Sequence, residues 1–285
     1  MSFPLASPVW NRRELLGAAF GTSVLATLTP RAAFAGPLLS VRDPEADRIL
    51  NQALQGPGWW NGASVDTYAK KQYDEIRLKK LRDGGYLTYV SGEGGEDFAQ
   101  EDVARTVWDH QDKLDNHFHS TIAAITLGSG QDARLRREYR DRYMLLDFGL
   151  FYGRQIQRMY RYDLPDGRTL LPFERLTSGF TDAGTWQKYL SLRDHQEKQA
   201  RDKDRLRSVF DSFVDIDVLY GMFIMEPGKA HTTRVTLIAK IGFTSDNSWV
   251  ASVGSKIPSV IKSGLRGGFD GSVAVCRAVK TGRYD

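Results

Sequence analysis

From Thr232 to Phe243 an apolar series recurs at every second position, with Thr233, Val235, Leu237, Ala239 and Ile241 on one side. A period of two is the spacing of a strand with one buried face, and this is the clearest strand in the chain. Shorter β-rich runs precede it. Ile76, Leu78 and Leu81 sit in one, and Tyr86 to Val90 form another, closed by Gly92-Glu93-Gly94-Gly95. Asp83-Gly84-Gly85 between them predicts a hairpin turn. Further strands are predicted at Ile122 to Leu127, Leu135 to Leu146, Gly149 to Tyr162, Leu170 to Leu176 and Val209 to Met225, with turns at Asp166-Gly167 and Pro227-Gly228.

Helical spacing occurs at both ends of this β-rich stretch. Asp43-Pro44 is an N-cap followed by proline at the first helical position, and Ala46, Ile49, Leu50, Ala53 and Leu54 then recur on one helical face. Gly56-Pro57-Gly58 ends that helix, Trp59-Trp60-Asn61-Gly62 reads as a loop, and Ser64 is placed to cap a second short helix through Tyr73. Asp97, with Gln100 three residues on, opens a helix whose apolar face is Ala99, Val103, Val107 and Trp108. The charged stretch from Thr185 to Arg207 reads either as helix or as an extended, solvated insertion. In the tail Val250, Val253, Ile257, Val260, Ile261 and Leu265 recur at helical spacing, and Pro258 could restart the helix at its own first turn. Gly264, Gly267, Gly268 and Gly271 oppose a rigid helix there by about 1 kcal/mol each against alanine. Such a helix either packs very close to a neighbour or opens.

The first residues have a different character. Asn11-Arg12-Arg13-Glu14-Leu15-Leu16-Gly17 precedes an apolar run from Ala18 to Leu28, and Ala33-Phe34-Ala35-Gly36 follows. Charged region, apolar region and small-residue cleavage site is the layout of a secretory signal. The apolar run is shorter than the roughly 20 residues a membrane span needs. The arginine pair resembles the twin-arginine motif, which implies export by that route, cleavage after Ala35, and a periplasmic or extracellular location. With no cysteine before Cys276, no lipid anchor is expected at that site. Half of the formal net charge of +4 falls on this leader, through Arg12, Arg13 and Arg31 against Glu14, and a nearly neutral remainder gives no electrostatic reason to expect nucleic acid. A single cysteine excludes an internal disulfide, and 41% hydrophobic residues suffice for a sizeable core.

The order of elements is strand pair, helix, a long run of antiparallel strands, then a C-terminal helix. It resembles the START-like, helix-grip group, the SRPBCC superfamily shared with polyketide cyclases. Three segments carry the resemblance: Glu101 to Asp109 with its Val107-Trp108-Asp109 ending, Thr232 to Leu237, and Lys256-Ile257-Pro258-Ser259-Val260-Ile261. The charged stretch and the glycine-rich tail depart from the pattern. The resemblance implies an α+β fold in which a curved antiparallel sheet wraps a long C-terminal helix around an apolar cavity. The expected organisation is a signal peptide over 1–35, an N-terminal helical segment over 36–75 and the ligand-binding domain over 76–285.

Aromatic residues and methionines are dense along the sheet, as an apolar pocket requires. The expected cavity residues are Trp108, Tyr139, Tyr143, Phe148, Phe151, Tyr220, Phe223 and Met225, with Ile261 and Leu265 from the last helix. Arg136, Glu138, Arg140, Asp141 and Arg142 share one strand stretch, in which alternate members face the same way. Facing inward they would anchor a polar head group; facing outward they are a solvated surface. His110, His117 and His119 lie together, but their spacing matches no metal-ligand pattern. Gly228-Lys229 lacks the glycine a phosphate loop needs, no Gly-x-Ser-x-Gly elbow occurs, and Cys276 sits among apolar residues as a structural thiol. No cofactor is expected. The function expected is an exported binding or transfer protein for a lipid, sterol, quinone or polyketide. The alternative is a cyclase- or hydrolase-type enzyme using one of Asp141, Asp147, Asp215 or Asp217. Transient membrane contact and a protein partner at the N-terminal segment are further expectations.

Overall fold

Asp43 takes the extended conformation that ends a chain segment and begins a helix, with φ −124° and ψ 101°. Its carboxylate accepts from the backbone N–H groups of Glu45 and Ala46 at 2.9 and 3.1 Å, and Pro44 supplies the preset first turn. Helix α1 follows over Pro44–Ala53 and buries Ala46, Ile49, Leu50 and Ala53. Each of the larger side chains contributes about 1.5–3 kcal/mol by leaving water. In this computed structural model the described residues are 36–41, 43–55, 65–66, 75–80, 86–93, 104–105, 107–109, 121–147, 152–203, 213–228 and 233–244. All of them fall in one compact unit, Ala33–Asp285. Residues 1–35, expected to be a signal peptide, the histidine cluster, Cys276 and the glycine-rich tail lie outside the described residues.

Among the described residues ten strands make one sheet: β1 (Val65–Asp66), β2 (Glu75–Lys80), β3 (Tyr86–Glu93), β4 (Thr121–Asp132), β5 (Arg137–Asp147), β6 (Tyr152–Tyr160), β7 (Tyr162–Asp163), β8 (Thr169–Arg175), β9 (Phe213–Pro227) and β10 (Thr233–Thr244). Their spatial order is β1-β2-β3-β10-β9-β8-β6-β5-β4, with β7 beside β8. The chain therefore enters at one edge, crosses to the far edge for β4, and meanders back until β10 meets β3. Pairings are antiparallel except where β6 runs parallel to β9 through Tyr152, Gly153 and Arg154. Val65 and Asp66 pair with Arg77 and Ile76, so the helix expected to begin at Ser64 starts instead as an edge strand. Strand β4 runs through Gly128 and Gly130, beyond the end read at Leu127. A Cβ on Gly130 would stand 2.9 Å from the Tyr139 hydroxyl, so that glycine makes room for a ring across the hairpin. Arg136, at φ 52°, closes the β4–β5 turn in the left-handed region.

The charged stretch forms helix α2 over Ala183–Lys203. Asp182 caps it by accepting from the Thr185 N–H at 2.8 Å, and hydrogen bonds from the Thr185 side chain and N–H hold its carboxyl below the usual range. Tyr189, Glu197 and Ala200 are buried on the side toward the sheet. Lys188 donates to the Thr126 and Leu127 carbonyls at 3.3 and 2.8 Å, where a register shift breaks the β4–β5 ladder.

Both helices cover the same face of the sheet. Under α1 lie Tyr160, Leu170, Tyr220, Met222, Ile224 and Ile238. Under α2 lie Ala123, Tyr143, Leu145, Tyr152 and Phe213. Cross-strand register links the two patches, since Asp141 stands opposite Arg158, and Arg158 opposite Glu174. The alternation in β10 marks one buried face, yet Thr236 and Ile238 are buried as well as Val235, Leu237 and Ala239. This part of the sheet is covered on both sides.

Candidate functional site

Period two fixes which side chains share the other face, called here the inner face. On β8 they are Leu171 and Phe173, opposite Phe223 and Gly221 of β9. Phe223 and Met225 in turn stand opposite Leu237 and Val235 of β10. All of these side chains are buried, and the Phe173 and Phe223 rings meet at 5.7 Å. A Cβ on Gly221 would come within 2.3 Å of the Phe173 ring and 2.7 Å of the Ile238 carbonyl, so glycine at this point lets the ring lie flat on the sheet.

The apolar strip changes character at β6 and β5. Met159 faces inward beside Phe173, and Gln157 and Arg142 follow along the same face. Gln157 and Arg142 are each 2% exposed. Burying a guanidinium is costly unless acceptors meet it. Here they are main-chain carbonyls of the helical residues 107–109. Arg142 donates to the carbonyls of Val107 and Trp108, and Arg140 donates to the Trp108 carbonyl and to Asp109 Oδ1 at 2.8 Å. The Trp108 ring, 3% exposed, lies 4.8 Å from the Arg140 guanidinium and 6.0 Å from that of Arg142. Gln155 donates to Gln157 on the same face. The inner face thus combines an apolar strip with an end of two guanidiniums and two amides, the division an amphiphilic ligand requires.

The same strand sends Asp141 the other way. Its carboxylate receives Arg158 Nε and Nη2 at 2.6 and 2.8 Å, and burial raises its pKa despite that pairing. Arg158 lies 3.6 Å from the Tyr139 ring centroid and 4.7 Å from that of Phe180. Glu174 accepts from the Tyr160 hydroxyl and from the N–H groups of Ser40 and Val41, both at 2.9 Å, and burial raises its pKa also. These buried ions clamp the N-terminal segment and the entry to α2 onto the sheet.

The residues expected to line one cavity are therefore divided. Trp108, Phe223 and Met225 lie on or against the inner face. Tyr139, Tyr143 and Tyr220 lie on the helix-covered face, Tyr143 against Tyr189 at 5.7 Å and Tyr220 beneath α1. Their register with Asp141 and Met222 sends them there. Phe148, Phe151, Ile261 and Leu265 lie outside the described residues. Of the acids weighed for catalysis, Asp141 and Asp215 lie on the helix-covered face in ion pairs with Arg158 and Arg154. Sequence reasoning missed Leu171, Phe173 and Gln157. The run Leu170-Leu171-Pro172-Phe173 is apolar throughout, so it shows burial without showing which face is which. Among the described residues no group of His, Cys, Asp and Glu is arranged to hold a metal ion.

Strand order, the crossing from β3 to β4 and the two-sided burial define an α+β helix-grip fold of the START type. Human STARD10 superposes with a TM-score of 0.51 at 8% identity, over 82% of this chain and 81% of that one. The human StAR-related lipid transfer protein 5 does so at 0.51 and 12% identity, over 84% of this chain and 96% of that one. No family model and no curated sequence matches the chain.

Proposed function

We infer that this protein is an exported carrier that holds a hydrophobic small molecule on the inner face of its sheet. The observation that carries this reading is the junction of the strip Leu171, Phe173, Phe223 and Met225 with the buried polar end at Arg142 and Gln157. An apolar body leaves water along the strip, gaining about 25 cal/mol per Å². The polar end meets a head group, which selects an amphiphile (a lipid, sterol, quinone or polyketide) over a plain hydrocarbon. One structural neighbour, the human StAR-related lipid transfer protein 5, is a lipid transfer protein, which supports the same class of cargo. Twin-arginine export follows from Arg12 and Arg13 and sets delivery outside the cytoplasm. Transient membrane contact would load and unload the ligand. The test is mass spectrometry of the organic extract from protein purified out of its native envelope fraction, beside an Arg142→Met variant. One enriched amphiphile, depleted in the variant, is the expected result. An empty extract, together with no binding to a panel of lipid vesicles, sinks the reading.

A further inference from the structure

Gln157 stands in the middle of the polar end of the inner face. Register places it between Arg142 of β5 and Arg175 of β8, with Gln155 and Met159 two positions away along its own strand. It is 2% exposed. Its Oε1 accepts from Gln155 Nε2 at 2.5 Å, while its own Nε2 reaches no acceptor among the described residues. Enclosing an amide with a donor unused costs free energy, and a native fold keeps such a group where something else meets it.

The charged neighbours are in a different position. Arg142 turns Nη1 to the Val107 carbonyl and Nη2 to the Trp108 carbonyl, and Arg140 is taken by the Trp108 carbonyl and Asp109. Arg175 is engaged as well. These guanidiniums fasten residues 107–109 to the sheet, and the amides are left to face a ligand. One hydrogen bond joins the two glutamines, so the pair offers one open donor end and one open acceptor end, whichever way the two amides are turned. A hydroxyl gives one hydrogen bond and takes another, and so can use either end. A carboxylate only accepts, and it would have to leave water to reach groups that are already paired.

We propose that Gln155 and Gln157 form the head-group subsite of the inner face and select a neutral alcohol, an apolar body ending in a hydroxyl, over the corresponding carboxylic acid. The proposal rests on the carrier reading and narrows its cargo. Gln157 is the specificity-determining residue, its Nε2 donating to the hydroxyl oxygen, and Gln155 accepts the hydroxyl hydrogen. Met159 and Phe173, opposite one another across β6 and β8, receive the first part of the apolar body.

The test displaces the hydrocarbon probe diphenylhexatriene from the full-length chain at about pH 8, where dodecanoate is ionised. Dodecanol should displace it at a concentration about tenfold or more below that of dodecanoate. Gln157→Leu should weaken dodecanol by about threefold to tenfold. A second readout needs no variant. The ketone 2-dodecanone, labelled with carbon-13 at its carbonyl, is bound to wild-type protein and its infrared stretch is compared with that in dodecane. A stretch at lower frequency is expected, the mark of a hydrogen bond received, and it should return toward the dodecane value in Gln157→Leu. Dodecanoate competing as well as dodecanol, or a bound carbonyl at its dodecane frequency, overturns the subsite and leaves the carrier reading standing. Failure of diphenylhexatriene itself to bind removes the carrier reading and this inference with it.

Discussion

Asp141→Ala removes one half of a buried, two-pronged ion pair. Asp141 is 1% exposed and Arg158 6%, and their two contacts are 2.6 and 2.8 Å long. Leaving one buried ion without its partner costs about 3–5 kcal/mol. Two features place this case at the lower end. Glu174 stands directly across the sheet from Arg158, and the rings of Tyr139 and Phe180 lie against the guanidinium, so the orphaned cation keeps part of its stabilisation. The expected loss is about 3 kcal/mol, read as a lower urea midpoint at unchanged slope. The double variant Asp141→Leu with Arg158→Met should recover to within about 1 kcal/mol of wild type, because no unpaired charge remains. Ligand retention well below the midpoint should be unaltered, since Asp141 projects away from Leu171 and Phe223. A single variant within about 1 kcal/mol of wild type, or a double variant no better than the single, refutes the claim that the pair is desolvated.

Gly221→Ala forces a methyl group against the Phe173 ring and the Ile238 carbonyl. It should cost about 1–3 kcal/mol in urea, with partial recovery when Phe173→Leu is added; a neutral single variant contradicts the close approach. Glu174→Gln tests the sign of a pH effect. Burial raises the carboxyl's pKa, so the folded state holds that proton more tightly than the unfolded chain. Its contribution is fullest below the ordinary carboxyl range and is lost as pH rises through the raised value. The stability gap between wild type and Glu174→Gln is therefore widest near about pH 4 and narrows toward neutrality, and a gap that widens with pH opposes the assignment. Asp43→Ala should destabilise by about 1 kcal/mol, and Asp43→Ser should largely restore it.

Where local chemistry decides an element, the sequence announces it. Asp43-Pro44 and the spacing of Ile49 and Leu50 define α1, and the alternation from Thr233 to Ile241 defines β10. Helix α2 is harder to read because the side it turns to the sheet carries Glu197, which meets Arg154 rather than an apolar surface. A hydrophobic stripe is the signal such a reading seeks, and an ion pair replaces it. The site shows the same limit. Alternation says that Arg140 and Arg142 share a face and Asp141 does not, but two-sided burial hides which face is inner. Tyr143 and Tyr220 are aromatic and as buried as Phe223, and strand register separates them.

The clamp at Glu174 also bears on the order in which the molecule can form. Ser40 and Val41 reach an acceptor more than a hundred positions downstream, and Glu45 pairs with Lys240 across 195 positions. The residues synthesised first are thus seated on strands synthesised near the end. Until β9 and β10 emerge, α1 has only part of the surface that buries Ile49 and Leu50, since Tyr220, Met222, Ile224 and Ile238 are still to come, and the closure entropy of that long loop is spent before these contacts repay it. A nascent chain halted before Lys240 should leave α1 open to protease, whereas the finished chain should protect it in a late, slow phase of refolding.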